Sequence, residues 1–190
     1  MPQLTVRKLS PALLQDYLHY FDHVGFTDNA DWAACYCLFY HFHHDTAKWE
    51  ERTAEQNRST ISDLINNDQH HGYLAYVDNQ IAGWCHAAPR TELYTLQLQE
   101  ELKVDDAEQV GSIVCFNVAP DRRGQGVATA LLTAACTGFK EIGLRVAEGY
   151  PRLKTDSITS NYKGPLKMYL DAGFTKFREF EHSMIVRRAL

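Results

Sequence analysis

The chain has 190 residues, a formal net charge of −5 at pH 7 and 45% hydrophobic residues. This length and apolar content suit one folded domain with a sizeable core, so we expect residues 1–190 to form a single domain. The net negative charge disfavours nonspecific binding to nucleic acid and favours a cationic partner.

Hydropathy and cysteine usage both indicate an intracellular protein. The N-terminus lacks the apolar core of a signal peptide, and no run reaches the ~18 uninterrupted apolar residues of a membrane span. The five cysteines are an odd number and lie within apolar runs, which favours reduced core thiols over disulfides. We therefore predict a cytoplasmic protein with no membrane or nucleic-acid partner. Its oligomeric state stays open, a homodimer included.

The N-terminal half is predicted to alternate strands and helices. Pro11 suits the first turn of a helix, where its missing N–H removes no helical hydrogen bond, and Gly25 suits the end of that helix. In chain order we predict a strand over 4–9, helices over 11–24 and 46–66, a solvated turn at His70-His71, a hairpin over 72–77 and 81–87, and a short amphipathic helix over 91–103.

Residues 35–45 contain two cysteines and three histidines among aromatic residues. This composition suggests a metal site, but Cys35 and Cys37 are separated by one residue instead of the usual two, and no second cysteine pair follows. The alternating aromatic residues favour a strand or a packed wall. We predict structural packing, with the lining of a binding pocket as the second interpretation, and we predict no metal.

The most informative segment lies where a strand leads into a helix. A strand-like run over 112–116 precedes the loop, and apolar residues recur every four positions after it. The first-turn N–H groups of a helix have no partner within the helix and carry partial positive charge, so they attract phosphate. Gly124 and Gly126 lack the Cβ atoms that would keep a ligand away, and Arg122 and Arg123 add attraction. The loop therefore predicts a phosphate site.

Two nucleotide motifs fit this loop poorly. A Walker loop requires Lys and then Ser or Thr after its last glycine, where this chain has Val127-Ala128. A dinucleotide fingerprint would need a third glycine in place of Thr129 and its first glycine directly after the strand. Glu148 follows the loop at about the sequence separation expected for the carboxylate that binds the ribose of a dinucleotide. A nicotinamide-dependent oxidoreductase therefore remains the weaker alternative.

Two blocks carry a family resemblance. Arg123-Gly124-Gln125-Gly126-Val127-Ala128 resembles the [QR]-x-x-G-x-[GA] signature of the GNAT superfamily of acyl-CoA-dependent N-acetyltransferases, and the run from Lys167 to Phe174 is similar to the block that ends their last helix. The resemblance implies acetyl-CoA as co-substrate, bound by Phe116, Asn117, Val118, Arg122, Arg123, Gly124, Gln125, Gly126, Val127, Ala128 and Thr129.

The same resemblance implies an α/β (α+β) fold with a central mixed, mostly antiparallel sheet, one splayed parallel strand pair and flanking helices. From the sequence pattern, a strand over 144–150 is expected to be the parallel partner of the strand before the glycine loop. The implied cleft lies between residues 116–118 and 147–150. After a polar loop, Pro165 begins a short helix, Gly173 ends it, and residues 177–186 supply closing strands.

Candidate catalytic residues follow from the chemistry of acyl transfer. Tyr169 matches the tyrosine that serves GNAT enzymes as general acid for the thiolate; packing is the alternative role. An alkylamine with a pKa of about 10 is only on the order of one part in a thousand neutral at pH 7, so a base is useful. His86, Glu148 and Asp156 are candidates for it. Asn161 lies one residue before the family's asparagine position, which Tyr162 occupies, and Pro165 places it in the loop before the last helix.

The sequence thus predicts an N-acetyltransferase that transfers an acetyl group from acetyl-CoA to a primary amine by direct attack in a ternary complex. The amine is a small molecule or a peptide, and the charge of the chain favours a cationic one. The main alternative is a non-catalytic coenzyme A-binding sensor or interaction module.

Overall fold

A computed structural model describes residues 3–154 and 161–190 of the chain. The strands are β1 (Leu4–Lys8), β2 (Gly72–Val77), β3 (Gln80–Pro89), β4 (Val110–Val118), β5 (Val146–Gly149), β6 (Thr175–Glu179) and β7 (Met184–Ala189). They form one sheet in the order β1-β2-β3-β4-β5-β7-β6. The β4–β5 pair is parallel and all other neighbouring pairs are antiparallel. The predicted mixed, mostly antiparallel sheet is confirmed.

Helices pack on both faces of this sheet. They are α1 (Leu14–His19), α2 (Ala30–Ala33), α3 (Ala54–Asn66), α4 (Tyr94–Leu98), α5 (Val127–Glu141) and α6 (Leu166–Asp171). Side chains alternate between the faces of a strand, so Tyr73 and Ala75 of β2 pack in the core under α5, and Leu74 and Tyr76 pack in the core under α1 and α3. The sheet therefore separates these two apolar cores, and a third apolar cluster of described residues lies around Leu93, Val114 and Ile185.

The helix that follows the glycine loop has the predicted buried stripe. Leu131, Ala135 and Phe139 of α5 are at most 2% exposed, and Phe139 fits against β4 because Gly111 has no side chain there. A Cβ at Gly111 would lie 2.4 Å from the ring of Phe139. Gly143 follows the helix with a φ of +85°, a left-handed conformation that suits glycine.

Two predicted helices differ in extent from the observed ones. The helix predicted over 46–66 begins only at Ala54, because Thr53 and Gln56 form a reciprocal capping box that starts it there. The stretch 91–103 contains only the short helix α4 between two single 3-10 turns. The backbone leaves the helical region at Leu93 and again at Gln99, so a continuous helix is excluded.

Residues 35–45 do not form a strand, which was one of the two structures that the alternating aromatic residues favoured. Tyr36 and Cys37 have φ values of +43° and +51°, a left-handed pair that breaks an extended chain, and a 3-10 turn follows at Leu38–Tyr40. The packing part of the prediction is correct, since Tyr36, Cys37 and Leu38 are 2% to 7% exposed and join the core around α1.

The parallel pair separates towards the glycine loop. Pairing of β4 with β5 ends at Ile113 and Gly149, whereas β4 continues to Val118. Residues 114–118 consequently have no β5 partner on that side. Glu148 pairs with Ser112 and therefore lies in the closed part of the pair. The expected cleft begins only beyond Gly149, and residues 147–148, which were expected to line it, do not.

Candidate active site

The glycine loop presents backbone to an open space. Gly124 and Gly126 have φ values of +73° and +83°, and a Cβ built at either position would meet nothing within 4 Å. Gly126 is the N-cap of α5, and no side chain caps this helix. The N–H groups of the first turn therefore face the open side together with the positive end of the helix dipole, an arrangement that suits phosphate oxygens.

The two loop arginines have different surroundings. Arg123 donates from Nε to the carbonyl oxygen of Val118 at 3.1 Å, and its guanidinium forms an ion pair with Asp28. Arg122 pairs with its neighbour Asp121 at 3.2 Å and makes a long contact of 3.4 Å with Gln80. Arg123 therefore ties the loop to the end of β4, whereas the charge of Arg122 is held less firmly.

The loop opens onto a cavity of about 880 Å³. Ten of the eleven residues predicted to bind the coenzyme line this cavity: Phe116, Asn117, Val118, Arg122, Arg123, Gly124, Gly126, Val127, Ala128 and Thr129. Gln125 is exposed, and its amide donates to the carbonyl oxygen of Asp121 at 2.8 Å instead. The cavity thus joins the glycine loop to the splayed end of β4.

The rest of the cavity wall is strongly aromatic. Its side chains come from the segment before α3 and from the loop before α6, namely Phe26, Trp32, Phe39, Tyr40, Trp49 and Tyr162. Trp32 and Tyr162 meet edge to face with ring centroids 5.6 Å apart. Of this wall the sequence indicated only that residues 35–45 could line a pocket, because the remaining residues lie far apart along the chain.

The end of β4 that extends beyond β5 is held by two tyrosines. Tyr20 is fully buried, and its hydroxyl donates to the carbonyl oxygen of Asn117 at 3.0 Å and also contacts the amide oxygen of that residue. The N–H of Phe116 donates to the carbonyl oxygen of Tyr162 at 2.5 Å. The loop before α6 therefore uses a backbone donor on the side of β4 that β5 leaves unpaired.

Tyr169 lies directly behind the cavity and does not line it. Its hydroxyl donates to the carbonyl oxygen of Lys163 at 2.9 Å, and burial raises the pKa of this phenol well above its ordinary value. The ring fits between Gly149 and Gly164, since a Cβ at either glycine would lie within 2.9 Å of it. The hydroxyl must leave the Lys163 carbonyl before it can donate to a bound ligand.

Glu148 is fully buried in an ion-pair network. Its carboxylate accepts from Arg90 at 2.5 Å and from Nε of Arg187 at 2.7 Å, and Tyr150 donates to it as well. Arg187 also pairs with Asp106 at 2.9 Å. Both oxygens of Glu148 are thus engaged away from the cavity. Because it is buried and paired, this carboxylate cannot bind the ribose of a dinucleotide.

His86 lies on the other side of β3 from α5 and does not line the main cavity, but its ring meets edge to face that of Tyr40, which does, with centroids 6.1 Å apart. It is fully buried, and neither of its ring nitrogens has a hydrogen-bond partner among the described residues. An unmet hydrogen bond of this kind typically costs about 1–3 kcal/mol. Burial lowers the pKa of His86 well below its ordinary value, so the ring is neutral at neutral pH. Asp156, the remaining candidate base, lies outside the described residues.

His70 and His41 contact His86. His70 is 1% exposed, so the predicted solvated turn at this position is wrong. It packs against Trp84 and His86, with ring centroids at 5.4 and 4.5 Å. Burial lowers the pKa of His70 well below its ordinary value and that of His41 to about 4. No sequence pattern indicated this cluster, because its members come from three separate segments.

A strand-to-helix junction with two left-handed glycines, an uncapped helix and a splayed parallel pair is typical of proteins that hold a phosphate-bearing ligand in an extended cavity. The chain belongs to the acetyltransferase (GNAT) family, whose model matches residues 11–149. None of the curated proteins matches the sequence significantly.

Solved structures with this fold cover nearly the whole chain. A GCN5-related N-acetyltransferase from Kribbella flavida has 19% identity and a TM-score of 0.54, covering 98% of both chains. The PaiA N-acetyltransferase of Thermoplasma acidophilum, in complex with coenzyme A, has 14% identity and a TM-score of 0.56, covering 99% of both. YncA of Salmonella typhimurium, with its cofactor acetyl-CoA, has 12% identity and a TM-score of 0.53, covering 98% of this chain and 94% of its own.

The family and these structures agree with the GNAT resemblance of the two sequence blocks. They also leave the nicotinamide-dependent alternative without support, since Glu148 is occupied and the sheet is mostly antiparallel. Within residues 3–154 and 161–190, no helix is both long and apolar enough to cross a membrane.

Proposed function

We propose that this protein transfers an acetyl group from acetyl-CoA to a primary amine, by direct attack of the amine within a ternary complex. The observation that carries the proposal is the continuous cavity that joins the uncapped N-terminus of α5 to the end of β4 that extends beyond β5, and to an aromatic wall. One cavity then offers room for a phosphate-bearing donor and for an acceptor.

The residues of the loop fit the coenzyme. The N–H groups after Gly124 and Gly126 would bind the pyrophosphate, with Arg122 adding positive charge and Arg123 holding the loop in place. Phe116, Asn117 and Val118 would line the path of the amide-rich arm. When bound, acetyl-CoA supplies an activated acetyl thioester. A backbone N–H near Val118 would stabilise negative charge on the carbonyl oxygen, a contribution typically worth about 3 kcal/mol.

The aromatic wall indicates the class of amine. Trp32, Tyr40 and Trp49 offer apolar area and π faces, which attract cations as well as apolar groups. The ring of Tyr162 already has the guanidinium of Arg152 over it, 5.6 Å from its centroid. Asp31 lines the same cavity and adds negative charge. We therefore propose a cationic primary amine that carries an apolar or aromatic portion, either a small molecule or part of a peptide.

The three side chains predicted to be catalytic are not equally suited to that role. Tyr169 is the proposed general acid, because it needs only to turn its hydroxyl from the Lys163 carbonyl towards the neighbouring cavity. Glu148 is better suited to holding β5 and β7 together, and His86 to the histidine cluster. Water in the cavity is the proposed acceptor of the amine proton.

The second candidate is a coenzyme A-binding module without catalysis. The fact that favours it is that Tyr169, Glu148 and His86 all lie outside the wall of the main cavity. This candidate predicts tight binding of coenzyme A without turnover.

Two measurements separate these functions. Calorimetric titration with acetyl-CoA and with coenzyme A tests the loop, and thiol release in the presence of a panel of primary amines tests the transfer. Release that depends on both acetyl-CoA and an arylalkylamine supports the proposal. Binding without release supports the module, and no binding contradicts both.

A further inference from the structure

Three histidines converge on the opposite side of β3 from α5. His41 follows the Leu38–Tyr40 turn, His70 precedes β2 and His86 belongs to β3. One ring nitrogen from each lies within 4.8 Å of the other two. The ring centroids are 5.0 Å apart for His41 and His70, 4.5 Å for His70 and His86, and 5.2 Å for His41 and His86.

The hydrogen bonds around His70 define which of its nitrogens carries a lone pair. The hydroxyl of Tyr17 donates to the carbonyl oxygen of Tyr36 at 2.6 Å, so it can only accept from Nε2 of His70, which lies 3.3 Å away. Nε2 of His70 therefore holds the proton, and Nδ1 is an acceptor. Nδ1 accepts a hydrogen bond of 2.9 Å from Nε2 of His41, so His41 would take its other tautomer to bind a metal through Nε2.

This arrangement resembles the shell around a metal-binding imidazole. A ligand histidine usually donates its other ring N–H to a fixed acceptor, which sets both tautomer and orientation. The Tyr17 hydroxyl performs this role for His70. His86 meanwhile has two buried nitrogens with no partner among the described residues, although it contacts both other rings. A ligand that accepts a lone pair from each ring would occupy one of the two unpartnered nitrogens of His86 and replace the hydrogen bond between His41 and His70.

We propose that His41, His70 and His86 bind a divalent transition metal ion of the zinc class. Imidazole nitrogens suit Zn²⁺, and three of them with one further position form a common zinc site. Zinc–nitrogen bonds of about 2.0–2.1 Å place tetrahedral ligand atoms about 3.3 Å apart. The nitrogens lie within 4.8 Å of one another, so modest ring rotations would bring them to this spacing.

The fourth position would face a second cavity of about 700 Å³. His41 lies on its wall together with His71 and Glu92, whose side chains pair at 3.1 Å. The metal would tie the Leu38–Tyr40 turn to β2 and β3. Because Phe39 and Tyr40 also line the main cavity, metal binding would hold its aromatic wall in place. Binding of the ion itself does not depend on the proposed acetyl transfer.

The direct test is titration of the chelator-treated full-length protein with Zn²⁺, read by calorimetry and by X-ray absorption. We expect one equivalent to bind with a Kd below about 1 µM, with three imidazole nitrogens at about 2.0–2.1 Å. A hundredfold excess of Zn²⁺ over Kd should raise Tm by roughly 5–10 °C. The absence of stoichiometric binding by wild-type protein overturns the proposal.

Variants distinguish this site from adventitious binding. His86→Leu and His41→Gln should each weaken Zn²⁺ binding at least about a hundredfold, because even an outer-shell partner of a metal ligand is worth 10- to 100-fold. His86→Leu replaces a buried polar ring without partners by an apolar side chain, so its metal-free fold should be retained, as circular dichroism can check. His43→Ala is the matched control, since this exposed ring lines the second cavity outside the cluster. If both variants bound Zn²⁺ with wild-type affinity, the proposal would be wrong and the three histidines would serve only in packing.

Discussion

Nε of Arg123 donates a hydrogen bond of 3.1 Å to the carbonyl oxygen of Val118, and this contact joins the glycine loop to the last residue of β4. The guanidinium extends the connection to Asp28 before α2. A residue that looks like a phosphate ligand in the sequence therefore acts first as a support of the loop. Arg122, its neighbour, has no comparable anchor among the described residues.

Replacing each arginine in turn should separate the structural support that Arg123 gives the loop from the electrostatic attraction that Arg122 gives the coenzyme. Arg123→Met should raise the Kd of acetyl-CoA about tenfold to a hundredfold, because a lost charge-assisted hydrogen bond costs about 1.5–3 kcal/mol. The loss should persist at high ionic strength. Arg122→Met should cost less, and its effect should shrink with added salt, as expected for an exposed charge. Calorimetry at low and high salt measures both, and equal, salt-sensitive losses would contradict the supporting role of Arg123.

The role of Gly126 in phosphate binding can be tested by comparison with Gly143, which has a similar left-handed backbone conformation away from the cavity. Gly126 and Gly143 have φ values of +83° and +85°, and a Cβ at either would meet nothing within 4 Å. An alanine should therefore cost each site a similar amount of stability, about 1–2 kcal/mol. Only Gly126→Ala should weaken acetyl-CoA binding, because only there would the methyl group face the phosphates. If Gly126→Ala bound acetyl-CoA with unchanged affinity, the phosphates would not bind at this loop.

Tyr169 can be tested as a general acid by removing its hydroxyl. Tyr169→Phe should lower kcat about a hundredfold with little change in the KM of acetyl-CoA, since general acids typically contribute 10²–10⁴-fold. The lost bond to the Lys163 carbonyl should cost only about 1 kcal/mol of stability. Tyr162→Phe is the control: it removes the hydroxyl of a tyrosine that lines the cavity but is not the proposed general acid, so its kcat should stay close to that of the wild type. A wild-type kcat in Tyr169→Phe would leave packing as the role of this residue.

The Glu148 network predicts a large effect on stability. Glu148→Gln should destabilise the fold by about 3–5 kcal/mol, because it leaves the buried cation of Arg90 and the partly buried cation of Arg187 without their shared carboxylate. Asp106→Asn removes a partner of the same Arg187 at a more exposed position and should cost at most about 1 kcal/mol. Denaturant unfolding measures both. The folded fraction of Glu148→Gln should keep its turnover, whereas lost turnover with full stability would restore Glu148 as a base.

The sequence predicted the features that depend on neighbouring residues. The glycine loop, the α5 stripe and the end of α6 just before the left-handed Gly173 are encoded within a few positions each, and the structure has all three. The mostly antiparallel sheet followed from the family resemblance, because strand order is a property of distant pairings.

The sequence could not predict the direction of individual side chains. Glu148 belongs to the expected strand, but only its register with Ser112 and its arginine partners reveal that it lies in the closed part of the β4–β5 pair. His70 and His86 are 16 positions apart and meet because β2 and β3 form a hairpin, with Gly72 opposite His86. The left-handed pair at Tyr36 and Cys37, which directs this segment to the cavity wall, also left no recognisable pattern.

The most direct test of the account is mass spectrometry of the products formed from acetyl-CoA and a panel of primary amines, with thiol release measured in the same reaction. We predict an N-acetylated amine in equal amount to released coenzyme A, with arylalkylamines preferred over small hydrophilic amines, and loss of both products in Gly126→Ala but not in Gly143→Ala. Tight binding of acetyl-CoA without any acetylated amine across the panel would contradict the account.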